Sequence, residues 1–179
     1  MLMASKNATK QTEVTWGDDR TNANDFDMHN ATTQDANNLE LALLHLQGSD
    51  QASDIVDAVS GTDVHFDHSS VWADEALADG SGVVWNPDVG LQLSDGDIIS
   101  PAAALGSEFA HVALPGGLDQ NATDDAYWSN SAEAIAHTAA NEFGADLGEP
   151  YRDGYDDGTP IVVEGVTYST NGDLGADIP

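Results

Sequence analysis

Cysteine is absent from this 179-residue chain, and cations are nearly so: Lys6, Lys10, Arg20 and Arg152 stand against 32 aspartates and glutamates. Without thiols there is no disulfide, no thiolate metal site and no thiol nucleophile, so stability must come from packing. A formal net charge of −28 leaves no surface able to neutralise phosphates, which excludes nucleic acid and anionic membranes as partners. No apolar run approaches the roughly 18 residues that a spanning helix needs. The opening Met1-Leu-Met-Ala-Ser-Lys6 also lacks the apolar stretch of a Sec signal peptide.

Apolar residues, at 40 %, suffice for the core of one domain. The acids are lopsided, 24 of the 32 being aspartate, and they punctuate the patterned part of the chain as well as its ends. Such a chain repels itself at low ionic strength. At about 1 M salt the Debye length falls to about 3 Å and the repulsion fades, so the composition points to a high-salt environment.

Residues 1–33 are rich in Asn, Thr and Asp with scattered apolars, and read as a linker-like or flexible arm with one short strand at Glu13–Trp16. Residues 34–179 read as the domain. Leu39, Leu43 and Leu46 recur at helical spacing before Gly48, and Ile55, Val56 and Val59 mark a second helix capped at Ser49 or Asp50. Val64–Phe66 and Gly82–Trp85 read as strands, the latter closed by Asn86-Pro87. Ser100-Pro101 opens a helix to Leu114, and Ser131 opens another to about Leu147, ended by Gly148. Pro160–Tyr168 reads as a hairpin turning at Glu164-Gly165. Helices with a small sheet make the fold class α+β.

The segment Ser107-Glu108-Phe-Ala-His111 carries the chemistry. Residues three and four apart share a helix face, and a zincin helix uses that spacing in His-Glu-x-x-His. Two imidazoles there grip zinc and the glutamate activates water. Here the first histidine is Ser107.

The flanks add specificity. Gly82-Val-Val-Trp-Asn-Pro87 and Ser100-Pro-Ala-Ala-Ala-Leu-Gly-Ser-Glu-Phe-Ala-His111 are followed by Glu133, Asn141, Asp146-Leu-Gly148, Pro150, Arg152 and Tyr155. In order and spacing this resembles the NleD-like effector zinc metallopeptidases, a family that includes C-terminal domains of Rhs-type toxins. The resemblance covers roughly Leu39 to Tyr155. It implies a zincin-like fold with a small sheet packed on a motif helix and a following ligand helix. It also implies Glu108 as general base, His111 and Glu133 as zinc ligands, a protein substrate and, for a toxin, an immunity protein as partner. The location that follows is that of a secreted effector without a Sec signal, or the cytoplasm of a halophile.

Two positions depart from the family pattern: Ser107 in place of histidine and Ala140 where a glutamate often stands. A catalytic zinc needs three protein ligands, so the cofactor is either lost or held by a rebuilt set. His137, four residues after Glu133, is the candidate for the rebuilt set. The alternative is a catalytically inactive pseudopeptidase, acting as a binding module or an inactivated toxin tip. A serine nucleophile at Ser107 is disfavoured because Glu108 cannot orient His111 from the adjacent helix position. His65 and His68 flank Asp67, and Asp-rich turns at Asp95–Asp97 and Asp153–Gly158 lack an EF-hand pattern.

Overall fold

Residues 20–70, 74–119, 122–125 and 127–172 are described by the computed structural model. A short 3-10 turn, Ala23–Asp25, precedes β1 (Asp27–His29), α1 (Thr33–Leu46), α2 (Asp50–Ala58) and β2 (Asp63–Phe66). Then come β3 (Glu75–Ala76), β4 (Gly82–Trp85), β5 (Val89–Gln92), β6 (Ile98–Ile99) and α3 (Pro101–Ala113). The chain continues through β7 (Asp124–Asp125), β8 (Ser129–Asn130), α4 (Ser131–Leu147) and β9 (Thr159–Val162). The class is α+β. No helix among the described residues is long and apolar enough to cross a membrane.

Local chemistry sets the helix ends. Thr32 and Asp35 form a reciprocal capping box on α1. Ser100 accepts the N–H of Ala103 while Pro101 occupies the first turn of α3. Gly148, at φ 77°, closes α4 in the left-handed region. One cap differs from the expectation: Asn130, not Ser131, caps α4 by accepting from Ala132 and Glu133. Ser49 stands at the N-cap of α2 as expected, with its hydroxyl donating to Asp146 rather than bonding the helix backbone.

The main sheet has the order β1-β2-β4-β3. Its first three strands are parallel, and β3 runs antiparallel along the outer side of β4. A second sheet, β6-β5-β9, is antiparallel. The core lies between the main sheet and the helices, with Leu39, Leu43, Leu46, Val56, Val64, Val83, Trp85, Leu105, Phe109 and Phe143 at its centre. Helix α3 is apolar nearly all round and is therefore the central helix. At Gly106 a Cβ would stand 2.7 Å from Leu46 Cδ2 and 2.8 Å from Phe143 Cζ, so glycine lets α1 and α4 close onto α3. Trp85 Nε1 donates to Pro101 O at 3.0 Å, fixing β4 against the start of α3.

The arm expected over residues 1–33 ends earlier. Ala23 and Phe26 are buried, Phe26 stacks on Phe109 at 5.5 Å, and β1 pairs with β2. Two apolar anchors in a polar stretch carry no periodicity, so the pattern hid them. The strand expected at Glu13–Trp16 lies outside the described residues. The expected hairpin over 160–168 is also not formed. Only its first half is a strand, and that half pairs with β5; Val166 turns inward to the core because a partner edge was available elsewhere.

Candidate functional site

Helices α3 and α4 pack side by side, and their facing sides place His111, Glu133 and His137 at one wall of a cleft of about 790 Å³. Glu133 and His137, one helical turn apart on α4, come together as the sequence spacing requires. Glu133 Oε2 lies 3.3 Å from His111 Nε2 and 3.2 Å from His137 Nε2. One ligand atom from each of the three lies within 4.8 Å of the others.

Each imidazole is held on its far side. His111 Nδ1 donates to the carbonyl of Gly117 at 2.8 Å, leaving Nε2 to face Glu133. Gly117 is required there, since a Cβ would stand 2.4 Å from the His111 carbonyl oxygen. His137 Nδ1 lies 3.2 Å from Ser107 Oγ. Trp128 stacks on the His137 ring at 4.8 Å and 22°. The imidazole from α4 therefore occupies the space that the short side chain at position 107 leaves open.

Charges within the cluster are mutually arranged. Burial disfavours a charged His111, but the bond to Glu133, the charge of Glu108 and the Gly117 carbonyl outweigh it and lift its pKa to about 9. Burial alone would raise Glu133, yet the two imidazoles hold it down at about 2. His137 is lowered, first by burial and also by the neighbouring Arg152 and His111, against the pull of Glu133.

Glu108 lines the same cleft and accepts the backbone N–H of Ala76 on β3. Burial pushes its pKa up to about 7, with the Glu133 charge adding to the rise and His111 opposing it. Asp74, beside β3, is likewise lifted to about 7 by burial, against the Asn86 N–H that it accepts and with the Glu108 charge adding.

Sequence reasoning missed Arg152 as a member of the site. Asn141, a residue of the family-like pattern, accepts the Arg152 N–H and donates to its carbonyl, at 3.0 and 2.9 Å. The guanidinium bonds the carbonyls of Asp157 and Tyr155. Its Nη1 lies 3.3 Å from Nε2 and 3.5 Å from Nδ1 of His137. Near-equal distances put it off the lone-pair axis of either nitrogen, so Nε2 remains directed at Glu133. Its scarcity was the available signal: Arg152 is one of four cations in the chain.

Ser107, His137 and Glu133 also follow one another in the order of a hydrolase triad. Ser107, however, is buried in mid-α3, where the neighbouring backbone N–H groups are consumed by the helix and provide no oxyanion hole. Its hydroxyl serves to position the ring. No protein-family model, curated protein or solved structure matches the chain.

Proposed function

We propose that this chain is a zinc-dependent peptidase-type domain of the effector class, with a zincin-like fold and a metal held by His111, Glu133 and His137. The observation that carries this reading is the convergence of two imidazole Nε2 atoms on Glu133 Oε2, at 3.3 and 3.2 Å. Neighbouring ligands of a tetrahedral zinc with bonds of about 2.0–2.2 Å stand about 3.3–3.6 Å apart. Two imidazoles and one carboxylate are also a donor set used by catalytic zinc. The residues fit the ion.

Zinc in such a place supplies Lewis acidity toward a carbonyl and a nearby water. The chain's own groups supply the rest. Glu108, with a pKa near neutrality, takes a proton from water and returns it to the leaving amine. Arg152, the one arginine or lysine among the described residues lining the cleft, faces negative charge as it develops on the carbonyl oxygen. Strand β3 borders the cleft at Glu75 and Ala76, and an edge of this kind suits an extended peptide, in keeping with a protein substrate. The sequence resemblance adds the effector or toxin context, and with it an immunity protein as a further partner.

A second reading, an inactive binding module, is favoured by one observation: His111 at about 9 and Glu133 at about 2 form an ion pair at neutral pH and neutralise each other without a metal. Zinc content after purification in molar salt separates the two, measured with cleavage of an intrinsically disordered protein. Peptidase function predicts one zinc equivalent that disappears in His137→Ala, and a Glu108→Gln variant that keeps this zinc and loses cleavage. No zinc that depends on His137, together with no cleavage, selects the binding module, and cleavage with zinc content indifferent to His137→Ala sinks the peptidase reading.

A further inference from the structure

A second convergence of imidazole and carboxylate lies on the main sheet, and none of its residues lines the cleft. Alternation along β2 buries Val64 and Phe66 in the core and leaves Asp63 and His65 on the opposite face. On β1 the parallel register sets His29 beside His65 and Asp27 beside Asp63. Two histidines and two aspartates therefore share one side of a strand pair.

Their side chains lie within reach of one another. His29 Nε2 lies 3.1 Å from Asp63 Oδ1, and His65 Nε2 lies 3.9 Å from Asp63 Oδ2. The two rings stack at 4.3 Å with 11° between their planes. One ligand atom from each residue lies within 4.8 Å of the other two. A single histidine would satisfy the outer oxygen of Asp63. The second imidazole is too far for a hydrogen bond to that carboxylate; because the rings stack face to face, a shared ion requires one ring to turn about its Cβ–Cγ bond so that both in-plane Nε2 lone pairs reach it. Two imidazoles with one carboxylate suit borderline divalent ions such as zinc, copper or nickel, whereas calcium and magnesium would leave the nitrogens unused.

We propose that His29, Asp63 and His65 form a transition-metal site, independent of the cleft, that staples β1 to β2. β1 is three residues long and outermost in its sheet, and His29 and Asp63 are 34 residues apart in the chain. An ion bound only in the folded state stabilises it by mass action, which in a chain without cysteine takes the place of a covalent tie.

The test is zinc titration of the full chain in molar KCl, which screens diffuse attraction to the acidic surface. Parent protein is compared with His29→Ala, His65→Gln and Asp63→Asn, while imidazole NMR signals are followed in the parent. Losing even the outer partners of a ligand costs about 10–100-fold in affinity. Each substitution should therefore weaken one class of zinc site at least about tenfold, or remove one equivalent. The His29 and His65 ring signals should shift together with zinc and stay put with calcium. Variant titrations that superimpose on the parent's, ring signals that zinc leaves unmoved, or displacement of zinc by calcium would each overturn the proposal. The NMR readout needs no variant and does not involve His111 or His137, so it stands or falls apart from the cleft.

Discussion

Ser107 Oγ lies 3.2 Å from His137 Nδ1, so a hydroxyl on α3 steadies the imidazole that α4 delivers to Glu133. Ser107→Ala should lower zinc affinity of the cleft about 10-fold, the scale on which outer hydrogen bonds to ligating histidines act. Stability should change by only about 1 kcal/mol, the net worth of one neutral hydrogen bond. Competition with a chromophoric chelator reads the first, and thermal unfolding the second.

Arg152 is expected to act on the rate. Replacing it with methionine keeps a long apolar stem and removes the charge facing the cleft. A peptidase should then lose about 10²–10³-fold in kcat with KM little changed, as for loss of an oxyanion donor. Steady-state kinetics check this, and equal losses in binding and rate would place Arg152 in ground-state recognition instead.

Asp74 gives the metal-free protein a pH dependence of known sign. Its folded pKa of about 7 stands above the 3.8 of a free aspartate side chain. Its stabilising contribution is therefore complete below about pH 4 and lost as the pH rises through 7. Asp74→Asn keeps an acceptor for the Asn86 N–H and cannot ionise. The variant should be more stable than the parent by about 2–4 kcal/mol at pH 8, with the difference vanishing near pH 4. Denaturant melts at several pH values measure it.

Glu149 is buried and ties three elements together. It accepts from the Ser100 N–H at 3.0 Å and the Ser100 hydroxyl at 2.6 Å, and it lies 2.9 Å from His45 Nε2. Glu149→Ala leaves these groups unpaired at the start of α3 and should cost about 2–4 kcal/mol. Glu149→Gln, which keeps the acceptor, should cost less. Thermal unfolding in molar salt reads both.

The helices were legible because their signals are local. Ser100-Pro101 and Gly148 announce ends, and Leu39, Leu43 and Leu46 announce a buried stripe. Spacing alone also brought Glu133 and His137 together. The cross-strand link of residues 23–29 to β2 was not legible, nor was the pairing of β9 with β5, since each depends on an edge far away in the chain. Asp74 escaped for the same reason: it belongs to no motif and matters through Asn86 and Glu108, which lie beside it.

Glu133 and His137 share one turn of α4, while His111 stands on α3. Two of the three side chains therefore travel as a single rigid jaw and the third belongs to the opposite jaw. Any tilt of one helix against the other would part His111 from Glu133 and His137 without touching any of the three.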